Sequence, residues 1–208
     1  MEIEIKALAP DLEEAYFDFF DHRAFSDGSP YYPCYCNAFN MSVAEIDSMR
    51  EQAKTYGEGT EAWRQALRET AAQMVKDGRI RGYLAFADGQ AVGWCNANDR
   101  MNYFRVGAFD LDHLPEDRSP DCRRPGQVRS VVCFEISPDH RGKGIATKLL
   151  QRVCTDAKAA GYDYVEAYPS EGAPPSLAFT GPVALFEKMG FTEHSRRDGM
   201  IIMRKLLS

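Results

Sequence analysis

Glu135 is the one carboxylate inside the apolar run Val131-Val132-Cys133-Phe134-Glu135-Ile136, and shortly after it comes a basic, glycine-rich segment, Arg141-Gly142-Lys143-Gly144-Ile145-Ala146. A carboxyl among apolar neighbours loses hydration on burial, so its pKa rises toward the range where it can serve as a general base. It could equally be satisfied by an arginine such as Arg129 or face solvent at a sheet edge. Gly142 and Gly144 fall where the chain passes from strand into helix, the place where unpaired N–H groups and the positive end of the helix dipole point outward together. Such a turn suits a phosphate. It is not a P-loop, for no Gly-Lys-Ser/Thr ends it, and it lacks the Gly-x-Gly-x-x-Gly of a dinucleotide-binding turn.

The elements that position these residues are legible on both sides. Val131 to Ile136 is rich in β-branched and aromatic residues and stops at Ser137-Pro138, as a buried strand does. Ile145, Leu149, Val153, Cys154 and Ala157 then recur at helical spacing, with Lys148, Arg152, Asp156 and Lys158 opposite and Gly161 as the stop. Upstream, Met1 to Lys6 alternates like a strand and Pro10 to Asp21 carries a helical stripe. Residues 26–40 combine turn formers with aromatics, which predicts a loop packed over something. Ser42 to Lys54 and Thr60 to Asp77 are helical, and Ile80 to Ala87 with Ala91 to Ala97 form a hairpin around Asp88-Gly89. Residues 99–127, with Pro115, Pro120, Pro125, Gly107 and Gly126, read as a long connection. Asp163 to Tyr168 is a strand, Gly181-Pro182 opens a short helix that stops at Gly190, and Phe191 to Ser195 with Met200 to Leu206 make a closing antiparallel pair around Asp198-Gly199. The order predicts an α+β fold with a mixed, mostly antiparallel sheet and one parallel pairing bridged by the long helix.

At 208 residues, with 44% hydrophobic and 27% charged residues, the chain suits one soluble domain spanning 1–208. A net charge of −6 argues against a nucleic-acid or anionic-membrane surface and favours a cationic amine. With no apolar signal core and no run of eighteen apolar residues, a cytoplasmic location is expected. The cysteines at 34, 36, 95, 122, 133 and 154 lack disulfide-framework spacing and read as reduced, largely buried thiols.

Arg141, Gly144 and Ala146 fill the Arg/Gln-x-x-Gly-x-Gly/Ala signature, and Leu185-Phe186-Glu187-Lys188-Met189-Gly190-Phe191 is similar to the Leu-Tyr-Glu-Lys-x-Gly-Phe closing segment, of the GNAT superfamily of acyl-CoA N-acyltransferases. The resemblance covers residues 80–206 well, while residues 26–78 are longer than the family's usual first-helix region. It implies a GNAT-like sheet flanked by helices, with a splay between the two parallel central strands that accepts the pantetheine arm of acetyl-CoA, used as co-substrate without a metal. It further implies that backbone groups of Phe134, Ile136 and Ser137, lacking ladder partners, hold that arm. The turn residues Arg141, Gly142, Lys143, Gly144, Ile145, Ala146 and Thr147 would hold the pyrophosphate.

The resemblance also implies direct attack of an amine on the thioester, with Glu135 as the first candidate base. Where many members carry a tyrosine as the acid, this chain has Phe186, which can pack against pantetheine but cannot donate a proton. Tyr168 is the nearest substitute by sequence, although an aromatic ending a strand by core packing is the plainer role. Cys34-Tyr35-Cys36 lacks zinc spacing and suits a pocket lining instead. Tyr31, Tyr32, Tyr35 and Phe39 offer an aromatic wall for an amine, Trp94 and Asn96 fit either core or pocket, and His140 belongs to the phosphate-side surface. The expected function is acetyl transfer to a primary amine of a small molecule or peptide; a non-catalytic acyl-CoA-binding regulatory module is the alternative. The sequence leaves open the acceptor and whether the last strand pairs two copies in a homodimer.

Overall fold

A computed structural model describes residues 2–106, 109–110, 128–169, 171, 179–197 and 200–207. Strands β1 (Glu4–Ala7), β2 (Gly82–Ala87) and β3 (Gln90–Asp99) meander antiparallel, and β4 (Arg105–Val106) with β5 (Phe109–Asp110) makes a separate small hairpin. Strand β6 (Val128–Ile136) returns to the main sheet beside β3, and β7 (Tyr164–Ala167), β8 (Thr192–Arg197) and β9 (Met200–Leu206) complete it in the order β1-β2-β3-β6-β7-β9-β8. Only β6 and β7 run parallel among the described strands, as the crossover through the long helix requires. Strand β9 lies between β7 and β8, so the edge strands of the described sheet are β1 and β8 and the last strand is internal.

Helix α1 (Glu13–His22) follows a 3₁₀ turn over Pro10–Leu12, of the kind frequent at helix N-termini, and is shorter than the helical stripe from Pro10 predicts. Helix α2 (Val43–Tyr56) starts with a capping box in which Ser42 and Glu45 satisfy each other's backbone N–H groups, and α3 (Gly59–Lys76) packs antiparallel to it across a short break. Helix α4 (Ile145–Ala159) is the crossover and α5 (Val183–Lys188) the short closing helix. Strand β6 begins before Val131, since Val128, Arg129 and Ser130 still find partners on β7. Of the long connection, residues 111–127 lie outside the described residues, as do the Asp198-Gly199 turn and Cys122. Among the described residues no helix is long and apolar enough to cross a membrane.

Each face of the sheet buries its own apolar layer. Ile145, Leu149, Leu150, Val153 and Ala157 of α4 pack with Val131, Phe134, Val165 and Phe186 on one face. On the other, α1, α3 and the loop of residues 26–40 cover Trp94, Val132 and Cys133. At about 1.5–3 kcal/mol for each large apolar side chain buried, these layers dominate the stability of the sheet.

The register of β6 explains how the site opens. Asn96 of β3 faces Cys133 while the next residue, Ala97, faces Val131, so Val132 is an extra residue, a β-bulge in β6. A bulge increases local twist, and β7 follows β6 only as far as Val131, opposite Ala167. From Val132 to Ile136 the strand has β3 on one side and, among the described residues, no strand on the other, which is the predicted splay.

Candidate active site

The turn after β6 is built as a cradle. Pro138–His140 forms a 3₁₀ turn closed by the His140 N–H on the Ser137 carbonyl at 2.8 Å, and Ser137 Oγ meets His140 Nδ1 at 2.9 Å. Gly144 is the N-cap of α4 at φ 77°, a left-handed conformation that glycine adopts without strain. The α4 N-terminus has no side-chain cap and no acidic residue in its first turn. A Cβ on Gly142 or Gly144 would meet nothing within 4 Å, so the surface at these two glycines is open. Arg141, Gly142, Lys143 and Gly144 are exposed around it.

Along the splay, the backbone differs from expectation. The Phe134 N–H points away from β3 and donates to the Phe179 carbonyl at 2.6 Å, and the Ile136 carbonyl accepts from Arg141 Nε at 3.1 Å. Ser137 turns its N–H the other way, to the Val92 carbonyl at 3.0 Å, and is buried. Alternation along a strand is the reason: Phe134 and Ile136 share the open edge, while Ser137 belongs to the β3 side. The Phe134 N–H and the Ile136 carbonyl on this edge therefore have internal partners.

Glu135 faces the opposite layer, directly across from Trp94, with its side chain 12% exposed. Burial pushes its carboxyl up to about 7, against the pull of Arg141, whose Nη2 lies 3.4 Å from Oε1. The loop of residues 26–40 supplies its surroundings. Burial, helped by the neighbouring Glu135 carboxylate, raises the Tyr31 phenol, and burial pushes the Cys34 thiol up to about 12. Cys133, on the same face as Glu135, shares a hydrogen bond with Cys36 and is likewise raised. Such thiols stay protonated and are poor nucleophiles. Among the described residues no three His, Cys, Asp or Glu side chains are grouped to hold a metal ion.

The loop is held firmly. Tyr16 donates to the Tyr35 carbonyl, Tyr35 Oη reaches Asp21 Oδ1 at 2.5 Å, and Asn96 Nδ2 bonds the Cys36 carbonyl at 2.9 Å. Tyr35, Phe39, Trp94 and Asn96 are thereby buried as supports; of the expected aromatic wall, Tyr31 is half-buried and Tyr32 exposed. Phe179 packs edge-on against Tyr31 with ring centroids 4.9 Å apart.

The candidate acid Tyr168 and the expected pantetheine neighbour Phe186 both lie in the interior. Phe186 is 0% exposed, packed between Phe134 and Phe191 at centroid distances of 6.2 and 5.4 Å. Tyr168 is also buried: its hydroxyl donates to Glu166 and meets Ser130 Oγ at 2.9 Å. Burial alone would raise the Glu166 pKa, but Arg100 and Arg204, with Nε atoms 3.0 and 2.6 Å from its two oxygens, hold it below the ordinary carboxylate value. A phenol serving a buried carboxylate is a structural donor, and burial followed by the Glu166 charge raises its pKa far above 10. Tyr168→Phe is accordingly expected to cost about 1.5–3 kcal/mol in denaturant unfolding, the range for a hydrogen bond to a charged group. Its kcat should stay well short of the roughly hundredfold or larger loss that removing a general acid brings. A folded, stable variant with such a loss would restore Tyr168 as the acid.

Asp27 was not singled out from the sequence. Its carboxylate pairs with Arg141, 114 positions away, and the hydrogen bond with that guanidinium holds its pKa below the usual range. No local pattern marks so distant a partner.

A sheet with this splay, followed by an uncapped glycine cradle, agrees with the comparison by sequence: the profile of the Acetyltransferase (GNAT) family matches residues 44–191. The chain belongs to that family. This GNAT protein is therefore an acyltransferase, and the matched span takes in α3 and all of α2 but its first residue. Its fold is shared with an N-acetyltransferase from Staphylococcus aureus Mu50, 15% identical at a TM-score of 0.53 with 100% of both chains covered. The PaiA N-acetyltransferase from Thermoplasma acidophilum, solved in complex with coenzyme A, is 16% identical at a TM-score of 0.51, with 99% of each chain covered. The GNAT domain of S. lividans PAT is 16% identical at 0.53, covering 99% of this chain and 90% of that one. No curated protein matches the GNAT chain described here.

Proposed function

We propose that the protein transfers the acetyl group of acetyl-CoA to a primary amine of a small molecule or peptide, with Glu135 as the general base. The observation that carries this reading is a buried carboxylate with a pKa near 7 placed where β6 parts from β7, one turn from the open N-terminus of α4. A base with a pKa near the working pH combines a usable ionised fraction with enough basicity.

In this reading the cradle from Arg141 to Ala146, with Thr147 in the first helical turn, receives the coenzyme diphosphate on backbone N–H groups. The pantetheine arm follows the open edge of β6 and takes the Phe134 N–H and the Ile136 carbonyl from their internal partners. Ser137 supports the turn through Val92 and His140. The acceptor enters from the side of the 26–40 loop, where Tyr31, Tyr32 and Asp27 suit a cationic amine. Glu135 removes a proton from the ammonium group and the neutral amine attacks the thioester carbon. The C–N bond forms, the C–S bond breaks, and the proton left on the attacking nitrogen goes to the departing sulfur, so neither Phe186 nor Tyr168 has to donate one.

Calorimetry with coenzyme A, together with thiol release from acetyl-CoA across a panel of small amines and peptide N-termini, tests the reading. Coenzyme binding and stimulation of thiol release by at least one amine class are expected. A folded chain that binds no coenzyme would overturn the proposal; binding without any amine-stimulated release would overturn the transfer step.

A further inference from the structure

Arg141 sits on the cradle, yet its side chain folds back over the end of β6. Nε donates to the Ile136 carbonyl at 3.1 Å, Nη1 to Asp27 Oδ2 at 2.5 Å and Nη2 to Glu135 Oε1 at 3.4 Å. One guanidinium thus joins the open edge of the splay, the 26–40 loop and the buried carboxylate. Exposure falls along this chain of contacts, from 36% at Arg141 to 12% at Glu135, so the pair with Glu135 is the part least screened by water.

A ligand bound as proposed above would contest these contacts from two sides. An arm lying along β6 needs the Ile136 carbonyl that Nε occupies. A diphosphate in the cradle would lie beside Arg141 and offer its guanidinium anionic oxygens in a geometry suited to bidentate pairing. We propose that Arg141 is a coenzyme-operated clamp on Glu135, with Asp27 as the positioning residue that anchors it at rest, so that donor binding draws the guanidinium away and frees the carboxylate for the amine. The inference rests on the proposed function and adds a switch to it: Glu135 becomes competent as the base only when Arg141 has left it.

The groups around Glu135 are consistent with such a role for Arg141. Asp27, Tyr31, Cys34 and Cys133 are acidic or neutral, and Arg141 is the cation among them. Its departure removes the largest attraction that opposes the effect of burial and leaves the weaker hydrogen bond from the Ile136 backbone.

The test is the titration of Glu135 by carboxyl carbon-13 NMR, with the signal assigned by its loss in Glu135→Gln. The free enzyme is compared with enzyme saturated with coenzyme A, for the wild type and for Arg141→Met, which keeps the packing stem and loses the charge. In the wild type, coenzyme is expected to raise the Glu135 midpoint by at least about one pH unit, the lower end of the effect of a paired charge on a carboxylate. In Arg141→Met the midpoint should already be high and move less than half as far, the remainder being the direct field of the phosphates. Asp27→Asn should lower the free-enzyme midpoint and enlarge the coenzyme-dependent rise, because Arg141 then has only Glu135 and Ile136 to hold. A wild-type midpoint unmoved by bound coenzyme overturns the clamp while leaving the proposed function standing, as does an Arg141→Met midpoint that moves as far as the wild type. A chain to which coenzyme does not bind, by calorimetry on the same samples, overturns both.

Discussion

Gly144→Glu is expected to abolish coenzyme A binding in a protein that still folds. The substitution acts in three ways, and their sizes separate them. A non-glycine residue at φ 77° costs about 1–2 kcal/mol of conformational strain, which a sheet covered on both faces can absorb. Sterically the protein raises no objection, since a Cβ there meets nothing within 4 Å. What fills that empty space is a carboxylate, at the position where the diphosphate would sit. Two like charges 4 Å apart repel by about 4 kcal/mol at an effective dielectric of 20. The new carboxylate can also accept hydrogen bonds from the α4 amides and so occupy the donors the ligand needs. At about 1.4 kcal/mol for each factor of ten, a loss of at least about a hundredfold in affinity follows. Gly144→Ala carries the strain without the charge and should lose far less. Calorimetry checks both variants, with thermal unfolding to establish that each is folded, and an unchanged affinity in folded Gly144→Glu would remove the cradle from the site.

How much of this was legible in the sequence depends on the range of the interaction. The strand-turn-helix unit is local: β-branched residues, a proline stop, two glycines and a helical stripe follow one another, and the structure reproduces them in place. Glu135 was legible because a carboxylate stands out in an apolar strand. The one parallel pairing followed from the length of the crossover helix. The bulge at Val132 was not legible, since it is a register slip between two strands and leaves no mark on either alone. Asp27 was missed for the same reason at longer range, its partner being 114 residues on. Tyr168 and Phe186 differ in another way: one was weighed as a substitute acid and the other occupies a motif position, and both are drawn into the interior, Tyr168 by a charged Glu166 that needs a donor and Phe186 by a ring that has no polar atom to keep near solvent. Motif position predicts where a side chain starts, while burial and hydrogen bonding decide where it ends.

Glu135→Gln should lower kcat by a factor of about 10² to 10⁴ at neutral to mildly alkaline pH, the range for removing a positioned general base, while changing KM for acetyl-CoA only a few-fold. The wild-type rate is expected to rise with pH as the carboxyl ionises, through a limb at or above its coenzyme-free value of about 7, and that limb should vanish in the variant. Stability supplies an independent check with a definite sign. The folded-state pKa is raised from 4.5 to about 7, so the native state holds this proton more tightly than the unfolded chain does. The stability linked to the proton is therefore fully present below pH 4.5, declines as pH rises through about 7, and is gone above it. At about 1.4 kcal/mol per pH unit of displacement, the loss reaches on the order of 3 kcal/mol. Glutamine cannot ionise, so the gap in unfolding free energy between variant and wild type should grow in favour of the variant across this interval and stay level beyond it, apart from a small constant offset for the weaker contact with Arg141. Unfolding measured in urea at several pH values follows that gap, and the rate profile is taken on the same samples. If the wild-type limb persists unchanged in the variant, Glu135 is not the base; if the limb disappears but the stability gap does not depend on pH, Glu135 acts as the base without the desolvation invoked here.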